Sequence, residues 1–261
     1  MENPIKKFER EKQQNIKHLG ENKNLWSSSL RWMLDAGDIG NYLYNFSWMG
    51  RPIIQYPQDI VGLQEIIFDV KPDLIIEAGV AHGGSIVFTA SMLAMLDVCE
   101  AIEEGKMIDP SVSTRKVIGI DIDIRQHNRE LIEAHPMASR IHLIEGSSVA
   151  TEIVEQVKEF AGSYSNILVI LDSNHTHEHV LGELQAYAGL VSVGSYCIVY
   201  DTLIDDMPND SIKNRDWCKG NSPKSAVHEY LQGNQNFEIQ KDIEHKLLIT
   251  VAPDGFLKRV R

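Results

Sequence analysis

The spacing of apolar positions changes character at Asp73. Before it, apolar and aromatic side chains recur at three- and four-residue intervals; after it, short continuous runs of branched residues alternate with longer stretches of helical period. DLIIEAGV (73–80) is a β-branched run ending at a glycine, and GGSIVFTASMLAML (83–96) has helical length with a three-to-four period. The unit recurs. KVIGIDID (116–123), IHLIEGSS (141–148), NILVILD (166–172) and YCIVYDT (196–202) read as strands. RQHNRELIEAHPMA, ATEIVEQVKEFAGS and HVLGELQAYAGLVSVG read as the helices between them. Such alternation predicts βαβ units, an α/β class, and a doubly wound parallel sheet covered on both faces. SAVHEYLQGN adds a helix, and FEIQKDIE and KLLITVAPDGFLKRV, with no helix expected between them, predict an antiparallel C-terminal edge.

The first 24 residues are polar enough for a loose helix or an arm, and 25–72, with WSSSLRWMLDAG and the aromatic run NYLYNFSWMGRPIIQYP, predict an N-terminal helical cap on a domain spanning 73–261. At 261 residues the chain can bury one large core. Its 25 basic and 37 acidic residues give a formal charge of −12, which argues against nucleic acid or an anionic membrane surface as a partner. Cys99, Cys197 and Cys218 lack C-x-x-C spacing, so neither a disulfide framework nor a cysteine zinc site is expected. A charged N-terminus, and no apolar run read as long enough to span a bilayer, point to a cytoplasmic protein. A homo-oligomer is left open.

Doubly wound sheets bind ligands outside the carboxyl ends of their strands, so those ends are the candidate site. The first ends E-A-G-V-A-H-G-G-S, Glu77 to Ser85, where Gly79 permits a tight turn and Gly83 and Gly84 permit a close approach to the helix start. The second ends at Asp121, placed to accept hydrogen bonds from a ribose diol. The spacing departs from G-x-G-x-x-G and from the G-K-S/T of a phosphate loop. An acid at Glu77 beside a loop without lysine repels phosphate and attracts an ammonium group. S-adenosylmethionine carries such an amine, a sulfonium and a ribose diol. A plainer alternative has the glycines closing a turn and Asp121 capping a helix.

EAGVAHGGS, GIDID, LDSNHTHEHV and YCIVYDT, with the PKSAVHEYL helix and the KLLITVAPDGFLKR ending, together resemble the family labelled cephalosporin hydroxylase, over roughly residues 45–261. That family is a branch of the class I S-adenosylmethionine-dependent methyltransferases, similar to macrolide-sugar and rhamnosyl O-methyltransferases. The resemblance implies a Rossmann-like methyltransferase sheet. It places Glu77, Gly79, Gly83 and Ser85 at the methionine moiety, Asp121 at the ribose and Gly146, Ser147 and Ser148 at the adenine; His82, by its place inside the glycine loop, either touches cofactor or substrate or lines the turn.

It also implies that the strands ending in Asp172 and Asp201 are neighbours, roughly 5 Å apart. Two carboxylates so close repel unless a cation sits between them, and magnesium fits as a hard, oxygen-seeking ion. His175, three residues beyond Asp172, is then the general base, suited by an ordinary pKa near 6.5. Tyr200 stands where relatives often carry a second acid, so a third ligand has to come from elsewhere, His177, Asn174 or Asp205 being candidates. Tyr42, Tyr44, Phe46 and the WMGRPIIQYP run are candidates for the acceptor wall, and Leu203 to Ser222 for a mobile lid.

The expected activity is metal-assisted O-methylation of a hydroxyl on a sugar or glycosylated small metabolite. Two alternatives stay open: a cephalosporin-type hydroxylase or methoxylation enzyme, with His175, His177 and Asp201 imitating an iron triad, and a non-catalytic module that binds the cofactor.

Overall fold

The computed structural model describes residues 2–110, 112–209, 211 and 214–261. Its centre is a seven-stranded sheet ordered β5-β4-β3-β6-β7-β9-β8. Strands β3 (Leu74–Ala78), β4 (Lys116–Asp121), β5 (Ile141–Glu145), β6 (Ile167–Leu171) and β7 (Tyr196–Val199) run parallel. At the edge, β9 (Phe256–Arg259) pairs antiparallel with both β7 and β8 (Phe237–Ile239). The parallel runs and the antiparallel edge read from the sequence are both present.

Alternation along the fully buried β3 feeds two cores. Leu74, Ile76 and Ala78 join one under α6 (Thr151–Ala161), α7 (His177–Tyr187) and α8 (Pro223–Gly233). Ile75 joins the other, with Leu63, Ile66 and Ile67 of α3 (Pro57–Val70) and Ile86, Phe88 and Leu93 of α4 (Gly84–Glu104). Helix α5 (Gln126–Glu133) follows β4. The 21-residue α4, with a mean hydropathy of 1.7 in its most apolar window, is long and apolar enough to cross a membrane, contrary to the sequence expectation. Here its residues 86–91, Leu93 and Leu96 are buried in the core, the environment that accounts for their composition.

Two further elements depart from the sequence reading. Helix α9 (Lys241–Leu247) lies between β8 and β9, where none was expected. Asp242 and Glu244 in its first turn and His245 and Lys246 in its last complement the helix dipole, a charge order that the reading for strands overlooked. The cap is not wholly helical either. Helices α1 (Pro4–Glu21) and α2 (Lys23–Gly40) are followed by a hairpin of β1 (Phe46–Trp48) and β2 (Arg51–Ile53). Met49 and Gly50 both have positive φ, as a two-residue primed turn requires. The polar arm forms α1, started by Asn3, whose side chain accepts from the Ile5 amide at 2.9 Å. It packs on α9, with Ile16 buried and Gly20 leaving room for the His245 ring.

The order of strands reverses between β3 and β6, which opens the crevice that receives ligands in such sheets. Gly79 sits at its lip with φ +101, and a Cβ there would lie 2.0 Å from the Asp172 carbonyl oxygen. Gly79→Ala should therefore destabilise the protein by about 2–4 kcal/mol, combining a strained backbone with a backbone clash, as read by urea unfolding. Unchanged stability would show that the two strand ends can part without cost.

Candidate active site

A cavity of about 1050 Å³ opens at this crevice, bounded by the loop after β3, the ends of β6 and β7, α2 and the segment after β7. Its size is at the upper end for a small-molecule site, enough for a cofactor and an acceptor side by side.

Asp172, His175 and Asp201 come together at the crevice, their ligand atoms within 4.8 Å of one another. Leu171 pairs with Val199, so the register puts Asp172 across from Tyr200 and leaves Asp201 one residue further on. Asp201 takes a left-handed backbone, φ +55, which for a non-glycine marks a constrained position. Its Oδ2 lies 3.4 Å from His175 Nε2. The edge of one ring meets the face of the other where His175 packs on Trp217, at 4.8 Å between centroids and 90° between planes. Burial pushes the Asp172 carboxyl well above its ordinary value, and the charges of Asp201, Glu77 and Glu183 push it further. Among the described residues no lysine or arginine forms an ion pair with Asp172 or Asp201. Such a pair of carboxylates suits a hard divalent cation, which would hold both ionised.

The third ligands considered from sequence are engaged elsewhere. His177 bonds Ser225 Oγ (2.8 Å) and Glu229 (3.0 Å) between α7 and α8. Asn174 Oδ1 accepts from the Thr176 amide and hydroxyl, and Asp205 accepts from the Gly220 amide and Ser222 hydroxyl. With His177 turned away, the two-histidine, one-carboxylate set of an iron oxygenase is not assembled from His175, His177 and Asp201. Tyr200 is core, 1% exposed.

The loop from Gly79 to Ser85 lines the cavity through Gly79, Val80, Ala81, His82, Gly84 and Ser85, while Glu77 and Gly83 are outside the lining. Its glycines answer to protein packing as much as to ligand approach. A Cβ at Gly83 would strike Ile132, and one at Gly84 the Pro52 carbonyl of β2. Asp121 Oδ2 accepts from the amides of Val80 (2.8 Å) and Ala81 (3.1 Å), and Oδ1 from Asp123 (3.2 Å), so the carboxylate braces this loop. Gly146, Ser147 and Ser148 are outside the cavity lining. Ser148 is buried, its hydroxyl donating to the fully buried Glu183 at 2.5 Å with His179 Nε2 at 3.0 Å, so its side chain is engaged within the protein. Glu183 captures it from α7, a contact the local sequence does not disclose. The Gly146 amide bonds the Asp121 carbonyl, and the Ser147 carbonyl accepts from Ala150.

Of the acceptor-wall candidates, Tyr44, Pro52, Ile54, Gln55 and Tyr56 line the cavity. Tyr42 and Phe46 pack with the rings of the cap, and Trp48 meets Phe88 edge-on while donating to Ser91 Oγ at 3.0 Å. The sequence reading missed Arg31, Leu34, Asp35 and Asp38 of α2, which share one helical face at spacings of three and four. The segment after β7 contributes Leu203, Ile204, Met207, Pro208, Ser211 and Trp217. It is not structureless: Thr202–Asp206 is a 3₁₀ helix, and Asp205 ties it to Gly220 and Ser222. Asp210, Ile212 and Lys213 of the expected lid lie outside the described residues.

Glu77, 1% exposed, accepts from Thr89 Oγ1 at 3.2 Å, and burial raises its carboxyl from an ordinary 4.5 to about 7. Between those values the native state holds a proton that the unfolded chain has released, so the stability of the ligand-free protein falls as pH rises from about 4.5 through about 7. Glu77→Gln should flatten that fall by roughly 3 kcal/mol in urea unfolding across pH 5 to 8. An unaltered slope would mean that Glu77 ionises at its ordinary pKa.

Comparison with known proteins adds a family. Residues 40–260 match the model described as Rhamnosyl O-methyltransferase/CmcI. The chain is 29% identical over 227 residues to a rhamnosyl O-methyltransferase of Mycobacterium leprae (strain TN), covering 84% of this chain and 86% of that one. A rhamnosyl O-methyltransferase of Mycobacterium tuberculosis (strain ATCC 25618 / H37Rv) is 28% identical over 218 residues, covering 82% and 78%. Among solved structures, an apo CmcI matches with a TM-score of 0.56 at 18% identity, covering 84% of this chain and 77% of that one. A CmcI structure with Mg and SAM matches at 0.55, also 18% identical, covering 84% and 78%. These two likenesses bear on the fold and agree with the class I methyltransferase sheet. With the family model spanning most of its length, this chain belongs to the Rhamnosyl O-methyltransferase/CmcI family.

Proposed function

We propose that this methyltransferase uses S-adenosylmethionine to methylate a hydroxyl of a sugar or glycosylated small molecule, with a divalent cation, magnesium by its chemistry, held at Asp172 and Asp201. The observation that carries the reading is the trio Asp172, His175 and Asp201 in the same cavity as the loop from Gly79 to Ser85. The curated relatives' printed name, rhamnosyl O-methyltransferase, supports a sugar acceptor.

When bound, the two groups supply an electrophilic methyl and a positive charge against the acceptor oxygen. The chain's own residues do the rest. Asp172 and Asp201 present oxygen ligands, and two carboxylates without a lysine between them are what a hard cation needs. Such a cation has little affinity for imidazole, which leaves His175 available as a base. The acceptor's hydroxyl proton passes to Nε2 of His175, and Asp201, 3.4 Å from that atom, stabilises the imidazolium. Trp217 fixes the ring's orientation by packing at right angles to it. The wall of α2 and Gln55 offers hydroxyl-binding groups, while Leu43, Tyr56 and Val251 exclude water from the acceptor side.

Two experiments test this reading. Chelation should abolish turnover while leaving affinity for S-adenosylhomocysteine nearly unchanged, and magnesium should restore it. His175→Ala should lower the rate by about 10²- to 10⁴-fold with the metal still bound, and should lose the acidic limb of the pH profile. Wild-type turnover by metal-stripped protein would leave Asp172 as an orienting partner of His175. The second concerns the donor. Asp121→Ala should weaken S-adenosylhomocysteine by about 1.5 to 3 kcal/mol in calorimetry, the range for hydrogen bonds to a charged group. Equal affinity would remove Asp121 from the donor site.

A further inference from the structure

Arg51 follows the turn of the β1–β2 hairpin and is only 7% exposed. Its Nε donates to the carbonyl of His82 at 2.9 Å, and its Nη2 donates to that carbonyl and to Oδ1 of Asn128, the latter at 2.9 Å. Asn128, 4% exposed on α5, extends the contact by donating from Nδ2 to the Ala81 carbonyl at 3.0 Å. Ala81 has φ +45, a conformation that a residue with a Cβ keeps only under outside support. The chain Arg51–Asn128 thus grips two successive carbonyls of the cavity loop from behind, while Asp121 grips its amides.

These acceptors are neutral. Among the described residues no carboxylate forms an ion pair with Arg51, and burial alone draws its pKa below the ordinary guanidinium value. A buried guanidinium bonded only to carbonyl oxygens is short of negative charge, a costly state that a protein keeps where a ligand completes it. The loop it holds leads into α4. Gly84 and Ser85, whose amides have no partner within the helix by their position in the first turn, line the cavity. Asp172 and Asp201 hold the strand-end side of the cavity, so an anionic group of the methyl donor is favoured away from them, at the amides that head α4, where Arg51 Nε lies 3.8 Å from a Cβ built at Gly83.

We infer that Arg51 is a positioning residue for the methyl donor: it fixes the 81–84 loop through its carbonyls and sets an unpaired positive charge behind the head of α4, matched to the donor's amino-acid carboxylate. The inference rests on the methyltransferase reading and adds the group that reads this end of the donor.

Calorimetric titration separates the charge from mere scaffolding. S-adenosylhomocysteine carries the carboxylate; 5′-methylthioadenosine has the same nucleoside and thioether without it. Arg51→Gln, which keeps a donor and removes the charge, should weaken S-adenosylhomocysteine by about 10- to 100-fold and 5′-methylthioadenosine by less than about threefold, and Arg51→Lys should recover most of the loss. Asn128→Ala loosens the loop and leaves the charge in place, so it should weaken both ligands alike; it keeps the idea open to failure should the Gln variant not fold. Equal losses for both ligands in Arg51→Gln, no loss for either at unchanged Tm, or full retention of both by Asn128→Ala would overturn the inference. Wild-type protein that binds neither ligand would overturn the methyl-donor reading and the inference with it.

Discussion

Negative charge crowded at the ends of two neighbouring strands is the constraint around which this molecule is arranged. Burial drives the Asp172 carboxyl up, and the charges of Asp201, Glu77 and Glu183 drive it further. The cavity that these strand ends face relieves such crowding only in part, since Asp172 and Asp201 are both half-buried. Relief comes from partial protonation or from a cation, and the first alternative leaves the site without a charge to use. The strand geometry admits no easy retreat, because Gly79 lies against the Asp172 carbonyl and the Asp172 amide is bonded to Ala78. Half-buried carboxylates that cannot separate, at the wall of one cavity, are the basis for a metal reading independent of any relative.

The sequence disclosed most of the fold because the parallel strands are buried on both faces. β3 and β6 are fully buried, so they are apolar throughout except for Glu77, and helices of clear period separate the strands. It disclosed less of the ends. The β1–β2 hairpin is three residues a side, too short for an alternation to register, and α9 covers only seven residues, too few to show a helical period. Asp172, His175 and Asp201 were legible because their chemistry is dense and their positions follow apolar runs. The fates of His177, Ser148 and Asp205 were not. Each is decided by a partner remote in sequence: Glu229, Glu183, and the Gly220–Ser222 segment. The α2 face that walls the cavity carries ordinary helical spacing, which says nothing of what lies opposite.

Family membership and physical reading meet at different depths. The family model covers residues 40–260, and the sheet, the loop after β3 and the Asp172–Asp201 pair all lie within it. Helix α1 and nearly all of α2 lie before residue 40. Yet Arg31, Leu34, Asp35 and Asp38 of α2 form part of the cavity wall. The strand-end side of the cavity thus lies within the matched residues, and part of its outer wall is α2, most of which the family model does not reach.

The β1–β2 hairpin carries a consequence for how this enzyme could acquire new acceptors. Arg51 and Pro52 abut the loop after β3, while Ile54, Gln55 and Tyr56, two to five residues later, line the cavity on the cap side. One short ribbon therefore braces the loop after β3 and lines the cavity, and a substitution that reshapes its cavity side also disturbs its hold on that loop. Selection for altered acceptors is thereby channelled away from the ribbon. It falls on α2 and on Met207, Pro208, Ser211 and Trp217, which line the same cavity. Divergence in those two stretches, on a fixed hairpin, is the route by which this scaffold can change acceptor while retaining its chemistry.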